Sequence, residues 1–462
     1  MQTQKIAIEL YSHQRQALDL AERHDSFALF METGTGKTPV AIELIKRRAV
    51  QTLVICPLSI VNSVWMDKLQ EWAPLTTPVN LWKHRKKLKT DADWEALASD
   101  FNHVGIINYE SAKKLPEAYL SKIRFIVLDE SQRIKDPNSK IAKFLIAPLD
   151  GRYPSLCDST KYRLIMSGTP APNTPMEYWS QMAVVDRTLL GIHFYKFRAE
   201  RFFSFGYGNY QWTVRKDSKD WIMNQIKQKA FYISKEDCLD LPDQIFQAKV
   251  YQMDAPQSRA YMEMKKTNLL ALKEATVISS TELVKIMKLR QITSGFINSS
   301  IGKPIMISDN KFKLLQETLD EIPPERQVII WCQFHYEIEE IMKRLGAQAA
   351  ALYGELSQTE KQESIDSFIA GKKKYLVANP KTGGVGLTFV NCSYNIYFSL
   401  DYSYESFKQS QDRTHRIGQN SKVTYYFLLA QDSIDEVIYK AVSKKRNISE
   451  AMLEMIKNET VD

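Results

Sequence analysis

Cysteine is scarce in this chain: five in 462 residues, at Cys56, Cys157, Cys238, Cys332 and Cys392. None stands in a CxxC pair, which argues against a zinc module or a disulfide framework and for a reducing compartment. Long apolar runs are missing too. No stretch of about 18 apolar residues occurs, so no segment is expected to cross a membrane. The opening MQTQKIAIELYSHQ lacks the apolar stretch of a secretory leader. Charge of one sign is not in large excess: the net charge of +8 is mild over this length. It permits a polyanionic partner without demanding one. No biased tract and no tandem repeat is visible.

What is present is ordinary globular composition, 44% hydrophobic and 25% charged, at a length that calls for two or three domains. Short apolar runs alternate with amphipathic stretches. Strands are expected at Ser26–Phe30, Thr52–Cys56, Val104–Asn108, Phe125–Leu128 and Arg163–Ser167, with helical patterns such as Pro39–Arg48 and Ile60–Trp72 between them. Apolar strands alternating with helices argue for a parallel sheet covered on both faces. The alternation stops near Leu190. Up to about Leu241 the chain is rich in aromatic and basic residues (FYKFRAERFFSFGYGNYQWTVRK). A mainly helical stretch follows, Pro256–Ile292, with Leu283, Ile286, Met287 and Arg290 at helical spacing. The strand rhythm then resumes at Val328–Cys332, Ala349–Leu352, Tyr375–Ala378, Asn395–Phe398 and Thr424–Leu429. The expected fold is α/β, with one lobe over 1–245 (insertion at about 190–241) and a second over 246–462 (helical insertion at about 256–300).

Between the first strand and the helix at Pro39 lies METGTGKT, residues 31–38. A glycine-containing loop in that context is a phosphate cradle. Gly34 and Gly36 let the backbone turn tightly and bring N–H groups toward phosphate oxygens. The helix N-terminus adds a favourable dipole. Lys37 is placed to reach the β- and γ-phosphates, and the Thr38 hydroxyl to hold Mg²⁺. The strict eight-residue pattern opens with glycine, where this chain has Met31. IVLDES follows the apolar strand Phe125–Leu128. A carboxylate at the C-terminal end of a strand meets the crevice of an open sheet, which suits Asp129 to Mg²⁺ and Glu130 to orienting or deprotonating a water.

Far downstream, QDRTHRIGQ carries Arg413 and Arg416 three residues apart. That spacing puts both on one helical face or one loop edge. Such a pair can meet charge developing on a γ-phosphate, and one such finger supplies about 10³–10⁵ in rate. A solvated basic helix is the alternative.

These segments resemble the Snf2-type ATPases of helicase superfamily 2. The resemblance runs from about Leu10 to Ser449. LYSHQRQAL is similar to the family's Q-containing entry segment, METGTGKT to its motif I, LVICPLSIVNSVWMDKLQEW to motif Ia and GIINYES to motif Ib. LDESQRIKDPNSK resembles the DEAH-like segment, LIMSGTPAPNTPMEYWS motif III, ISKEDCLDLPDQ the linker before the second lobe, and RQVIIWCQF motif IV. NPKTGGVGLTF is similar to motif V and QSQDRTHRIGQ to motif VI. Tyr402-Ser403-Tyr404 stands where the family usually has Trp-Asn-Pro.

The resemblance implies two tandem RecA-like lobes that use ATP and Mg²⁺. It implies nucleotide contacts from Gln14 (on the adenine), Thr33, Gly34, Thr35, Gly36, Lys37, Thr38, Gln132, Gly384 and Gly386. It implies chemistry at Lys37, Asp129, Glu130, Arg413 and Arg416, with Thr38 and Asp129 at the metal. Ser167–Gly168–Thr169 would couple ATP state to DNA grip, and Pro57–Ser59, Asn108–Tyr109 and Thr382–Gly386 would touch DNA backbone. The implied partner is duplex or branched DNA; the implied motion is closure of two lobes on ATP and reopening after hydrolysis. No chromo-, bromo- or zinc module flanks the motifs, so a stand-alone bacterial or phage-like enzyme in the cytoplasm is expected rather than a nuclear nucleosome remodeller.

Three further features stay open between two readings. KHRKKLK at 83–89, with Lys135 and Lys372–Lys374, is either a backbone-binding set or solvated surface. The Phe202–Trp212 aromatics either stack on bases or anchor the insertion. His415 is expected to be a structural hydrogen-bonding partner rather than a proton shuttle.

Overall fold

The computed structural model describes residues 9–146, 155–205, 211–272, 280–298, 302–383, 387–401 and 403–443. The chain divides into two compact units, Met1–Asp240 and Leu241–Asp462.

In the first unit, strands β1 (Ser26–Met31), β2 (Thr52–Cys56), β3 (Thr77–Asn80), β4 (His103–Asn108), β5 (Phe125–Asp129) and β6 (Tyr162–Met166) fall at or near the apolar runs, β3 excepted. β7 (Phe202–Phe205) and β8 (Gln211–Val214) form a separate antiparallel hairpin. β9 (Ala230–Ile233) pairs in parallel with β1. The main sheet runs β3-β4-β2-β5-β6-β1-β9, all parallel. Every residue of β1, β2, β4 and β5 is buried, as expected for strands covered on both faces. The region 190–241 is therefore not wholly an insertion: β9 within it completes the edge of the main sheet.

Two helices matter for the site. α1 (Ser12–Glu22) buries His13, Gln14, Ala17, Leu18 and Ala21, one face at spacings of three and four. α2 (Lys37–Arg48) starts directly after Gly36, which has φ +89°. It ends on Lys46, Arg47 and Arg48, cations that suit a helix C-terminus. Arg48 donates to Ala21 O at 3.1 Å and His24 O at 2.7 Å, tying the two helices together. The amphipathic stretch after β2 is helical, but it begins with a π-helical turn, Val61–Met66, before the α-helix Asp67–Trp72.

In the second unit, β10 (Gln244–Tyr251) pairs in parallel with the last strand. A short antiparallel hairpin joins β11 (Phe296–Asn298) and β12 (Pro304–Met306). The strands β13 (Val328–Trp331), β14 (Ala349–Leu352), β15 (Tyr375–Ala378), β16 (Tyr394–Tyr397) and β17 (Val423–Ala430) match the expected runs to within a residue. The sheet runs β10-β17-β16-β13-β15-β14, again all parallel. The expected helical stretch consists of helices Ala255–Leu272 and Ser280–Thr293. In its second helix Arg290 is buried and Ile286 packs partly buried against the core, as the spacing suggested, together with Leu289 and Ile292, while Met287 is exposed. Among the described residues no helix is long and apolar enough to cross a membrane.

Candidate nucleotide site

Strand order places the site. β5, β6 and β1 are neighbours, and their C-terminal ends carry Asp129–Glu130, Ser167–Thr169 and the METGTGKT loop respectively. In an open parallel sheet such ends form the ligand crevice.

The loop is gripped from α1. Gln14 Nε2 donates to Thr35 O at 3.0 Å, and His13 Nε2 lies 2.8 Å from the same oxygen. Tyr11 N donates to Gln14 Oε1 at 3.0 Å, so the Gln14 amide is fixed at both ends. Thr35 Oγ1 donates to Glu32 O at 2.8 Å, and Lys235 N donates to Glu32 Oε2 at 2.8 Å. Gly36 has no room for a side chain: a Cβ there would lie 2.0 Å from Gln14 Nε2. Lys37 Nζ donates to Met31 O at 2.8 Å and is buried. Thr38 is half-buried in the first turn of α2. The β6 loop packs equally close: a Cβ on Gly168 would lie 2.5 Å from Thr33 Oγ1 and 2.8 Å from Thr33 N. In this structure Gln14 therefore contacts the loop backbone.

Asp129 is 5% exposed. Trp65 Nε1 donates to its Oδ2 at 2.9 Å and Glu130 N to its Oδ1 at 3.0 Å. Tyr109 donates its hydroxyl to Asp129 O at 2.8 Å. Burial raises the Asp129 pKa and the Glu130 charge adds to it, while Lys37 and the Trp65 hydrogen bond oppose the shift. Glu130 sits in the left-handed region at φ +55°, a conformation held by its surroundings and frequent at functional sites. Gln132 Nε2 donates to Glu130 Oε2 at 2.8 Å, Ser167 Oγ donates to Gln132 Oε1 at 2.7 Å, and Thr169 N donates to Ser167 Oγ at 3.1 Å. Glu130 is thus wired to the β6 loop.

Among the described residues no cluster of three or more His, Cys, Asp or Glu could hold a metal ion. A hydroxyl from Thr38 and a carboxylate from Asp129 are hard oxygen donors that suit Mg²⁺ when phosphates complete its shell.

In the second unit, helix Tyr404–Gln411 ends just before Arg413, so the two arginines lie on the turn beyond it rather than on a helical face. They differ. Arg413 is buried and donates to Gln409 O and Leu387 O, both at 3.0 Å. Arg416 donates to Thr388 Oγ1 at 2.8 Å; burial lowers its pKa and Asp412 opposes. Both side chains hold the segment after Gly384 and Gly386, which lie outside the described residues, as does Tyr402. His415 Nε2 lies 2.9 Å from Pro242 O, a structural hydrogen bond.

Of the open features, Phe202 is fully buried against Phe197, and Arg198 stacks on Trp212 at 4.2 Å. Phe194, Phe197 and Phe202 join the hydrophobic core of the first unit, whereas Phe203 is exposed and Tyr207 and Tyr210 lie outside the described residues. The 83–87 run is exposed, with Arg85 stacked 3.2 Å over Trp82. Lys135 instead pairs with Glu177 at 3.1 Å. Sequence reading does not single out Trp65 or Tyr109 for Asp129: Trp65 falls in the segment similar to motif Ia, Tyr109 in the pair assigned to DNA backbone, and nothing local marks a partner tens of residues away.

The model of the SNF2-related domain matches residues 13–295, and that of the helicase conserved C-terminal domain residues 310–418. The chain is 26% identical to the Saccharomyces cerevisiae nuclear protein STH1/NPS1, over 93% of this chain and 33% of that protein. It is 24% identical to an uncharacterized ATP-dependent helicase of Mycoplasma genitalium (90% of this chain, 39% of that protein). It is also 24% identical to putative protein p41 of Acyrthosiphon pisum secondary endosymbiont phage 1 (92% and 93%). The chain thus spans about a third of the length of the yeast relatives it matches. The Sulfolobus solfataricus SWI2/SNF2 ATPase core in complex with dsDNA aligns at a TM-score of 0.43 and 22% identity, covering 96% of this chain and 92% of that one. With the first model covering more than half of its length, this chain belongs to the SNF2-related family and carries a helicase conserved C-terminal domain.

Proposed function

We propose that this chain is a DNA-dependent ATPase that couples ATP hydrolysis to translocation on, or remodelling of, double-stranded DNA. The observation that carries the reading is the meeting of three strand ends: Lys37 on the phosphate loop, Asp129–Glu130 beside it, and Ser167 wired to Glu130 through Gln132. Family membership supports it.

In this reading Lys37 leaves Met31 O to neutralise the β- and γ-phosphates. Glu130 orients the attacking water and accepts its proton. Gln132 keeps the Glu130 carboxylate aimed, and a change at the γ-phosphate reaches Ser167–Thr169 through the same hydrogen bonds. Thr38 and Asp129 would hold Mg²⁺, which supplies charge neutralisation at the phosphate oxygens. Arg416 supplies positive charge to the γ-phosphoryl group as it passes from ADP to the attacking water, and Arg413 braces the segment that Arg416 also holds. The exposed 83–87 run is the proposed backbone-binding surface. A phage relative of nearly equal length supports the cytoplasm of a bacterial or phage-infected cell as the compartment.

ATPase rate against duplex, single-stranded, forked and RNA ligands at fixed salt tests the proposal. Duplex stimulation that falls steeply with salt is the expected result. Turnover that no DNA raises contradicts it. A strand-separating superfamily 2 helicase is the second reading, and strand displacement in the same preparation decides between them.

A further inference from the structure

The two donors to Asp129 from outside its own loop come from separate elements. Trp65 lies on the π-helical turn after β2, and Tyr109 follows β4. A π turn holds one residue more than an α turn and resets which side chain faces the sheet. Here it directs Trp65, fully buried, onto the carboxylate across 64 residues of sequence. Tyr109 is buried as well and holds the Asp129 carbonyl. An indole N–H can do little else in an apolar core but find one acceptor, and it has found the carboxylate proposed for the metal. With Trp65 on Oδ2 and Glu130 N on Oδ1, the plane of the carboxylate is set, and each oxygen keeps a lone pair for another ligand. Partners behind a metal ligand orient it and tune its affinity.

We propose that Trp65 and Tyr109 are positioning residues, Trp65 holding the carboxylate of Asp129 and Tyr109 its main-chain carbonyl, that together keep Asp129 in the orientation required to take the nucleotide's metal ion. This rests on the reading of Asp129 as a metal ligand. It extends to two aromatic residues that need touch neither ATP nor DNA in order to set how much the metal strengthens nucleotide binding.

The test is equilibrium binding of a fluorescent ATP analogue to the full chain, with Mg²⁺ and with EDTA, in wild type, Trp65→Phe, Tyr109→Phe and Asp129→Asn. Binding in EDTA is expected to be unchanged in both aromatic variants. The gain in affinity on adding Mg²⁺ is expected to shrink about tenfold in Trp65→Phe and about threefold in Tyr109→Phe. Asp129→Asn is the control for the underlying reading. If it keeps the full Mg²⁺ gain, Asp129 is not the metal ligand. If it loses the gain while both aromatic variants retain it, the positioning roles are wrong. Equal losses with and without Mg²⁺ mark a merely structural role and overturn the proposal too. Tyr109→Phe deletes one hydroxyl and leaves the core filled, so it carries the test should Trp65→Phe fail to fold.

Discussion

Gln132 donates its amide to the Glu130 carboxylate at 2.8 Å while accepting the Ser167 hydroxyl at 2.7 Å. One glutamine therefore joins the residue proposed to activate water to the loop after β6. Glu130→Gln is expected to bind ATP and lose about 10²–10⁴ in turnover, the usual contribution of a general base. Ser167→Ala frees one side of Gln132 and is expected to cost several-fold in kcat, about one hydrogen bond, with KM for ATP little changed. Single-turnover and steady-state ATPase assays separate the two. A Ser167→Ala effect on KM alone contradicts the wiring.

Gly36 combines φ +89° with a Cβ site 2.0 Å from Gln14 Nε2. Gly36→Ala must strain the loop by ~1–3 kcal/mol or displace Gln14. ATP affinity is expected to fall about tenfold or more, read by isothermal titration, with little change in the global unfolding midpoint.

His103 is fully buried in β4, with Nε2 2.8 Å from the Tyr119 hydroxyl. Burial pulls its pKa down to about 4, with Asp100 opposing. The unfolded chain, with the ordinary histidine pKa of about 6.5, takes the proton first as pH falls. Stability is therefore full above about pH 6.5 and is lost toward pH 4, by up to ~3 kcal/mol. Denaturant midpoints at pH 7 and pH 5 are expected to differ more in wild type than in His103→Gln. Parallel pH dependence in the two proteins contradicts the assignment.

Lys311 and Asp435 form a buried ion pair at 2.7 Å in the second unit. Asp435 also accepts from Thr293 Oγ1 at 2.7 Å and Ala430 N at 3.3 Å. Lys311→Met leaves a buried carboxylate uncompensated and is expected to destabilise by about 3–5 kcal/mol. Adding Asp435→Asn, which removes the charge and keeps one amide oxygen able to accept from Thr293 or from Ala430, is expected to recover part of that loss. Denaturant unfolding of both variants checks it.

The sequence made the central strands legible because strands covered on both faces are unbroken apolar runs. Ten such runs became ten parallel strands. Among the strands missed, β3, β9 and β10 are edges of the two large sheets and β7, β8, β11 and β12 form two short hairpins: TPVN and QIFQAKVY are partly exposed and lack a continuous apolar run. AFYI lies within an aromatic and basic stretch that hid it. Phosphate-loop and Asp-Glu chemistry was legible because it is local, a few residues on a strand end. The holds on it were not. Trp65 to Asp129, Gln14 to Thr35 and Ser167 to Gln132 join residues 21 to 64 apart, and only the strand order brings them together. The spacing of Arg413 and Arg416 was legible as a pair, but not that one of them would be buried against backbone carbonyls.

The central proposal is that Lys37 and Arg416 are both required for ATP turnover. The direct measurement is ATP affinity and kcat, with and without duplex DNA, for Lys37→Ala and Arg416→Ala. The account predicts that Lys37→Ala abolishes turnover. It predicts that Arg416→Ala binds ATP as wild type does and loses about 10³-fold or more in kcat. Wild-type turnover in Arg416→Ala would contradict it.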